Sequence, residues 1–516
     1  MKLRATARLL LLALASHGVN AAPLPAGVKG ALDNEHLGLA DAAAFRLGTD
    51  PCAGCTTLRP ALWYFEKETI ALPGQGQAGA GFSPGQDRVA DVQRWAARAR
   101  TQPLAQPSVA WIGAPLILEN GRIAPDGKHV TTAQGAQLDL TLAPRLATNL
   151  SYANIDTMRF FGQRPVRMRG AIDPGTGAFV ARAVWPLDFN LDSAKAGPVA
   201  TVLTGDLASF VHAPAGHATR PETRVLWERD PNGTRRWEGK PVLGIVLDGA
   251  QGDDDESLGG HFAVTTGRFG ARGEWADWMV NNFYNLDSVS EKGIIAASVP
   301  MDSYLMDLNS GQQYYRPSYM LVAVLRDART AAAYQGAAQR TLNHFYRHDF
   351  AYHHARANCT GISIDIFRAL GWHVPNRGPS APVKAIGAYA YVAATDRSFA
   401  SGRKIYDYLT EEQTRLYPAV AFDVAGQDLL RLVGALPAGP AGQRILTEYE
   451  RQLKSDIEAL VLVRIAQVPS SRAAGSAPVF SFDEYRSRVP KDQARWKIVP
   501  VAPRPFPAAL REASAR

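Results

Sequence analysis

Asn358-Cys359-Thr360-Gly361 opens a run in which Ile362, Ile366, Phe367 and Leu370 recur at helical spacing and Gly371 follows. The pattern predicts a helix over 360–370, with Asn358 as its N-cap and Cys359 in its first turn. Unbonded N–H groups and the positive end of the helix dipole lower a thiol's pKa there, and the same N–H groups can hold an oxyanion. A thiolate nucleophile also needs a base. His261 is the first candidate, because it follows Gly259-Gly260 and starts an alternating run to Thr266 that reads as a strand. The pair points to attack on a carbonyl carbon. The competing reading of Cys359 is a small apolar side chain in a core, within a non-catalytic binding or scaffold protein.

A second chemistry is conceivable at His344, His348, His353 and His354. His344 and His348 share one helix face at i, i+4, a spacing that metal ligands use. The residues between them, Phe345-Tyr346-Arg347, lack the Glu of a His-Glu-x-x-His site. A metalloprotein is therefore the weaker alternative, and neither a metal nor a cofactor is expected. The acidic run Asp253-Asp254-Asp255-Glu256 reads as a solvated connection ahead of the His261 strand.

The elements that must position these residues come from periodicity and turn signals. Asp87–Arg100 reads as a helix. Between 105 and 240, Asn120-Gly121, Pro125-Asp126-Gly127, Asp173-Pro174-Gly175 and Asp230-Pro231-Asn232-Gly233 read as turns between short β-rich runs. Strands are expected over 241–247, 261–266, 294–299 and 314–325, and helices over 327–348 and 360–370. Residues 376–516 read as mainly helical, and Gln443–Val468 is expected to be one helix with Leu446, Tyr449, Leu453, Ile457, Leu460 and Val461 on its buried face.

Across 516 residues, 46% are apolar and 20% charged, which excludes a disordered chain. No run of 18 apolar residues occurs, so no membrane-spanning helix is expected. Lys2, Arg4 and Arg8, the apolar stretch Leu9–Ala15 and Val19-Asn20-Ala21 read as a signal peptide over 1–21. Removing its three basic residues takes the net charge from +8 to 8 − 3 = +5. That modest excess, without a Lys/Arg block, gives nucleic-acid binding no support. The expected location is the periplasm.

An oxidising compartment gives the three cysteines meaning. Cys52 and Cys55, in Cys52-Ala53-Gly54-Cys55, are close enough to bridge each other, which leaves Cys359 as a free thiol. Pairing of Cys359 with one of them stays open at this point.

Gly-His at a strand start, followed about 100 residues later by Phe350-Ala351-Tyr352-His353-His354-Ala355-Arg356-Ala357-Asn358-Cys359-Thr360, resembles the permuted papain-like cysteine enzymes. Within them it is most similar to a bacterial envelope group that includes lipoprotein intramolecular transacylases. The likeness covers about 246–371. It implies an α+β fold with a permuted papain-like catalytic domain at 241–375. The likeness does not extend to the flanking regions, which turn signals and composition divide into an N-terminal region at 22–104, an antiparallel β-rich domain at 105–240 and a mainly helical extension at 376–516. It implies Cys359 as nucleophile and His261 as base. Asn282 is the first choice to orient the base, with Asn281, Tyr284 and Asn285 behind it. Tyr352 and Asn358 would serve the substrate or its oxyanion. The expected activity is thiol hydrolysis or acyl transfer at an amide or ester, on a peptidoglycan or lipoprotein-type substrate.

Overall fold

The computed structural model describes residues 23–48, 107–142, 155–212, 218–249, 260–284, 296–306, 317–439, 444–469 and 506–509, with most of 61–74 and 81–99. The signal peptide, Cys52, Cys55, the acidic run at 253–256 and Asn285 lie outside the described residues.

The fold is α+β, built on a ten-stranded sheet and a six-stranded one. The large sheet uses β1 (Phe45–Leu47), β2 (Ile70–Pro73), β3 (Ala110–Trp111), β4 (Glu222–Glu228), β5 (Pro241–Asp248), β6 (His261–Arg268), β7 (Met279–Asn282), β8 (Ala297–Pro300), β9 (Ser318–Leu325) and β10 (Ile457–Arg464). Its order is β4-β10-β9-β5-β6-β7-β8-β3-β2-β1. Neighbours are antiparallel except β8 and β3. The central strands β5 and β9 are buried along their whole length, as expected of strands covered on both faces.

Helices α1 (Arg88–Ala99), α2 (Met301–Met306), α3 (Arg329–Tyr346), α4 (Cys359–Leu370), α5 (Pro382–Thr395), α6 (Phe399–Thr410), α7 (Pro418–Val433) and α8 (Glu448–Asp456) complete the part that carries the site. The α4 helix packs on β6 and is held by α1, α3 and α7. Asp365 on its outer side takes Arg88 at 2.7 Å and Arg415 at 3.0 Å, and Arg368 pairs with both oxygens of Glu412. These contacts fix the helix that presents Cys359.

Two expectations about elements change. Gln443–Val468 is not one helix. A capping box between Thr447 and Glu450 starts α8, which stops at Asp456, and Ile457 begins β10. The apolar stripe fits both conformations over this short run. Ile457, Val461 and Val463 are β-branched, and insertion between β4 and β9 buries both faces, so the strand wins. The extension at 376–516 therefore supplies a strand to the central sheet rather than helices alone. Asn120-Gly121 is also not a turn. Both lie inside the strand Leu116–Ile123, where Asn120 at φ 51° makes an irregularity in the pairing with Val166–Ile172.

The six-stranded sheet draws its strands from residues 28–186 and is antiparallel apart from the pair Gln137–Leu142 and Phe179–Pro186. Arg167 and Arg169 cross from it to the large sheet. Arg169 binds both oxygens of Asp302 in α2, the nearest at 2.9 Å, and Arg167 reaches Asp277 at 2.7 Å. Among the described residues, no helix is long and apolar enough to cross a membrane.

Candidate functional site

Cys359 is the first residue of α4, and Asn358 is its N-cap, accepting from Gly361 N–H at 2.7 Å. Both hydrogens of the Asn358 amide are committed, one to His354 O at 2.9 Å and one to Leu416 O at 3.0 Å. Asn358 thus holds the helix start in place. The expectation that it serves an oxyanion is corrected, because its donors already point at backbone carbonyls.

The thiol lies against β6. The helix that Cys359 begins packs on the strand that His261 begins, and the Phe262 N–H is among the groups that favour the Cys359 thiolate. Gly260, at φ 82°, makes the turn into β6 at a conformation that L side chains rarely adopt. Both His261 and Cys359 are buried. Tyr352 adds a further tie: its hydroxyl accepts from Cys359 N–H at 3.3 Å. That N–H is therefore occupied, and the hydroxyl is the polar group it supports.

Burial pushes the Cys359 thiol above its ordinary value, and the donors at Phe262 N–H, Thr360 Oγ1, Tyr352 Oη and Thr360 N–H offset this only in part. The lowered pKa expected at a helix start is thus overridden by desolvation. Burial also raises Tyr352 well above the usual tyrosine range, so its hydroxyl keeps its proton.

His261 stands directly across from Asp248 in the β5–β6 ladder. Opposed residues of an antiparallel pair share a face, with Cβ atoms about 5 Å apart. Asp248 is fully buried and accepts a hydrogen bond from the Tyr304 hydroxyl of α2 at Oδ2, while Oδ1 has no hydrogen-bond partner among the described residues. The rings of Tyr304 and Tyr284 flank His261 at 6.2 and 6.1 Å, and Tyr284 meets Tyr352 at 6.3 Å. A continuous aromatic wall thus runs from His261 to Tyr352, whose hydroxyl meets Cys359 N–H.

Asn282 ends β7 across from Ala297 of β8. The β6–β7 register, in which Val264 faces Asn281, continues to put Asn282 opposite Ala263 and on the His261 side of the sheet. Asn281 points the other way. Its amide binds Gln335 of α3 at 3.0 Å and accepts from Ser298 at 2.6 Å, so it joins a polar plug beneath the helices. Asp248 and Tyr304 were missed in the sequence. Asp248 closes an otherwise apolar strand, Pro241–Asp248, and an unexpected carboxylate there was the available signal.

Comparison with family models, curated proteins and solved structures finds no match.

The four histidines before Cys359 serve separate ends. His344 bridges Asp91 and Asp349 at 3.0 Å each, His348 stacks on Phe506, the His353 ring accepts from Ala355 and Arg356 N–H, and His354 lies edge-on to Tyr352. Among the described residues, no three His, Cys, Asp or Glu side chains gather as metal ligands would.

Proposed function

We propose that this protein is a papain-like thiol enzyme that breaks an amide or ester through Cys359. The observation that carries the reading is the run of contacts from the His261 ring through Tyr284 and Tyr352, at 6.1 and 6.3 Å, to the hydrogen bond of 3.3 Å that Cys359 N–H donates to the Tyr352 hydroxyl. His261 takes the thiol proton as the sulfur attacks the carbonyl carbon. Because burial favours the neutral thiol, proton transfer accompanies attack rather than preceding it. The tetrahedral oxyanion takes a hydrogen bond from the Tyr352 hydroxyl. Collapse forms a thioester and expels the leaving amine or alcohol, protonated by the imidazolium. Water or an acceptor amine then attacks the thioester, with hydrolysis or acyl transfer as the outcome.

Asp248 replaces Asn282 as the group assigned to orient the base. A carboxylate across the ladder stabilises the imidazolium that forms, and Tyr304 fixes its second oxygen. The leader-like start at 1–21 and the likeness to envelope enzymes support a peptidoglycan or lipoprotein-type substrate in the periplasm.

A second reading, a binding protein with a structural cysteine, is favoured by the burial of Cys359 at 4% exposure. A stopped-flow assay with p-nitrophenyl acetate separates the two. The enzyme reading expects a burst of p-nitrophenol equal to the protein concentration and absent in Cys359→Ala. A release unchanged in that variant leaves the binding-protein reading.

A further inference from the structure

Four of the eight most exposed large apolar side chains among the described residues fall within 383–399: Val383 at 92%, Ile386 at 72%, Tyr391 at 72% and Phe399 at 80% exposure. The α5 helix buries a single residue, Ala385. Val383, Ile386, Ala390 and Ala394 recur at steps of three and four, and all are exposed, so they form one outward stripe.

The inner side of the hairpin is already closed. Gly402 of α6 lies so near α5 that a Cβ there would come within 2.8 Å of Tyr389 O and 2.9 Å of Ala393 Cβ. The rings of Tyr389 and Tyr406 meet across the same seam at 6.5 Å. The outward stripe is thus surplus to the packing of the pair.

Charge says what the stripe fits. Over the hairpin, 382–410, Lys384, Arg397, Arg403 and Lys404, all exposed, stand against Asp396 and Asp407, a balance of 4 − 2 = +2, with Arg403 paired to Asp407 at 2.9 Å. Apolar side chains that enter the acyl boundary, tyrosines at its edge and cations that meet headgroup phosphates are what an anionic bilayer surface binds. The 14 residues of α5 rise about 21 Å, which is too short to cross the hydrocarbon core. We propose that the α5–α6 hairpin docks this protein on the surface of an anionic bilayer, lying in the interface. The root of the hairpin is tied to the approach to Cys359, since Asp407 of α6 accepts from Arg356 at 2.6 Å. Docking therefore holds the start of α4 near the lipid surface. The inference stands whether or not Cys359 is a nucleophile.

The test is co-sedimentation of the full chain with mixed phosphatidylethanolamine–phosphatidylglycerol vesicles and with phosphatidylcholine vesicles. Ile386→Glu/Phe399→Glu changes only exposed positions, and unchanged circular dichroism and melting confirm its fold. The expected result is binding to the phosphatidylglycerol vesicles that salt weakens, and that the double variant loses by about tenfold or more. Failure of the natural chain to sediment, or binding that survives the double variant, overturns the proposal. A dimer in light scattering that the same variant disperses, without vesicle binding, gives the face to a second copy. Slow hydrogen exchange along the outer face of α5 without vesicles, again with no vesicle binding, gives it to a cover from the same chain.

Discussion

Asp248 and His261 face each other at the matched ends of β5 and β6, and Tyr304 holds the far oxygen of that carboxylate. In the proposed mechanism this pair sets a buried carboxyl group across the ladder from the base that takes the thiol proton. Asp248→Asn should therefore slow single-turnover acylation about 10²–10⁴-fold while leaving the volume of the side chain unchanged. Asn282→Ala, one register step away, should cost less. A larger loss in Asn282→Ala than in Asp248→Asn, measured by stopped flow, would return the orienting role to Asn282.

The resting thiol should be hard to ionise. Alkylation of Cys359 by iodoacetamide is expected to show a midpoint above the ordinary 9.0, because burial outweighs the surrounding donors. Tyr352→Phe removes a hydroxyl that favours the thiolate, so the midpoint should move higher still. A natural midpoint at or below the ordinary value would contradict the burial argument.

A buried cluster between α1 and α3 sets a pH dependence of stability. Burial lowers the pKa of His344, but the bonds to Asp349 and Asp91 outweigh it, and the net shift is upward. Stability from this group is complete below its unfolded value near 6.5 and is lost as pH rises through the raised folded value. Burial raises Asp91, yet His344 and Arg340 outweigh that and depress it, so its contribution is present above the unfolded value of 3.8 and is lost as pH falls below it. The natural chain should lose stability as pH rises above 6.5, and melting temperatures of His344→Gln should lack that decline. An identical decline in both would place its origin elsewhere.

The six-stranded sheet should support the site at a distance. Arg169 grips Asp302, and Tyr304 lies two residues further along α2. Arg169→Met leaves the Asp302 charge buried without its main partner, which should cost about 3–5 kcal/mol in a urea titration. Replacing both Arg169 and Asp302 by apolar residues should recover much of that loss. If the single variant melts like the natural chain, the two sheets are not coupled through this pair.

Much of the central fold was legible because it is periodic. The helix at 360–370 showed its cap, its stripe and its terminal glycine, and α4 runs Cys359–Leu370 with Gly371 in the left-handed conformation. His261 opens β6 as its alternation predicted. Ile457–Arg464 was misread because a short apolar run has no period that separates strand from helix, and partners more than a hundred residues away decided it. Asp248 was hidden for a similar reason, since its meaning depends on which residue lies across the ladder. The sign of the Cys359 shift was missed because depth in the core cannot be read from a helix start alone.

The central claim is that Cys359 becomes acylated with His261 as its base. The direct measurement is peptide mapping by mass spectrometry after brief exposure to an activated ester, in the natural chain and in His261→Ala. The account predicts one acyl adduct, on the peptide that carries Cys359, formed about 10²–10⁴-fold more slowly in His261→Ala. An adduct elsewhere, no adduct at all, or labelling of Cys359 at the same rate in both chains would contradict it.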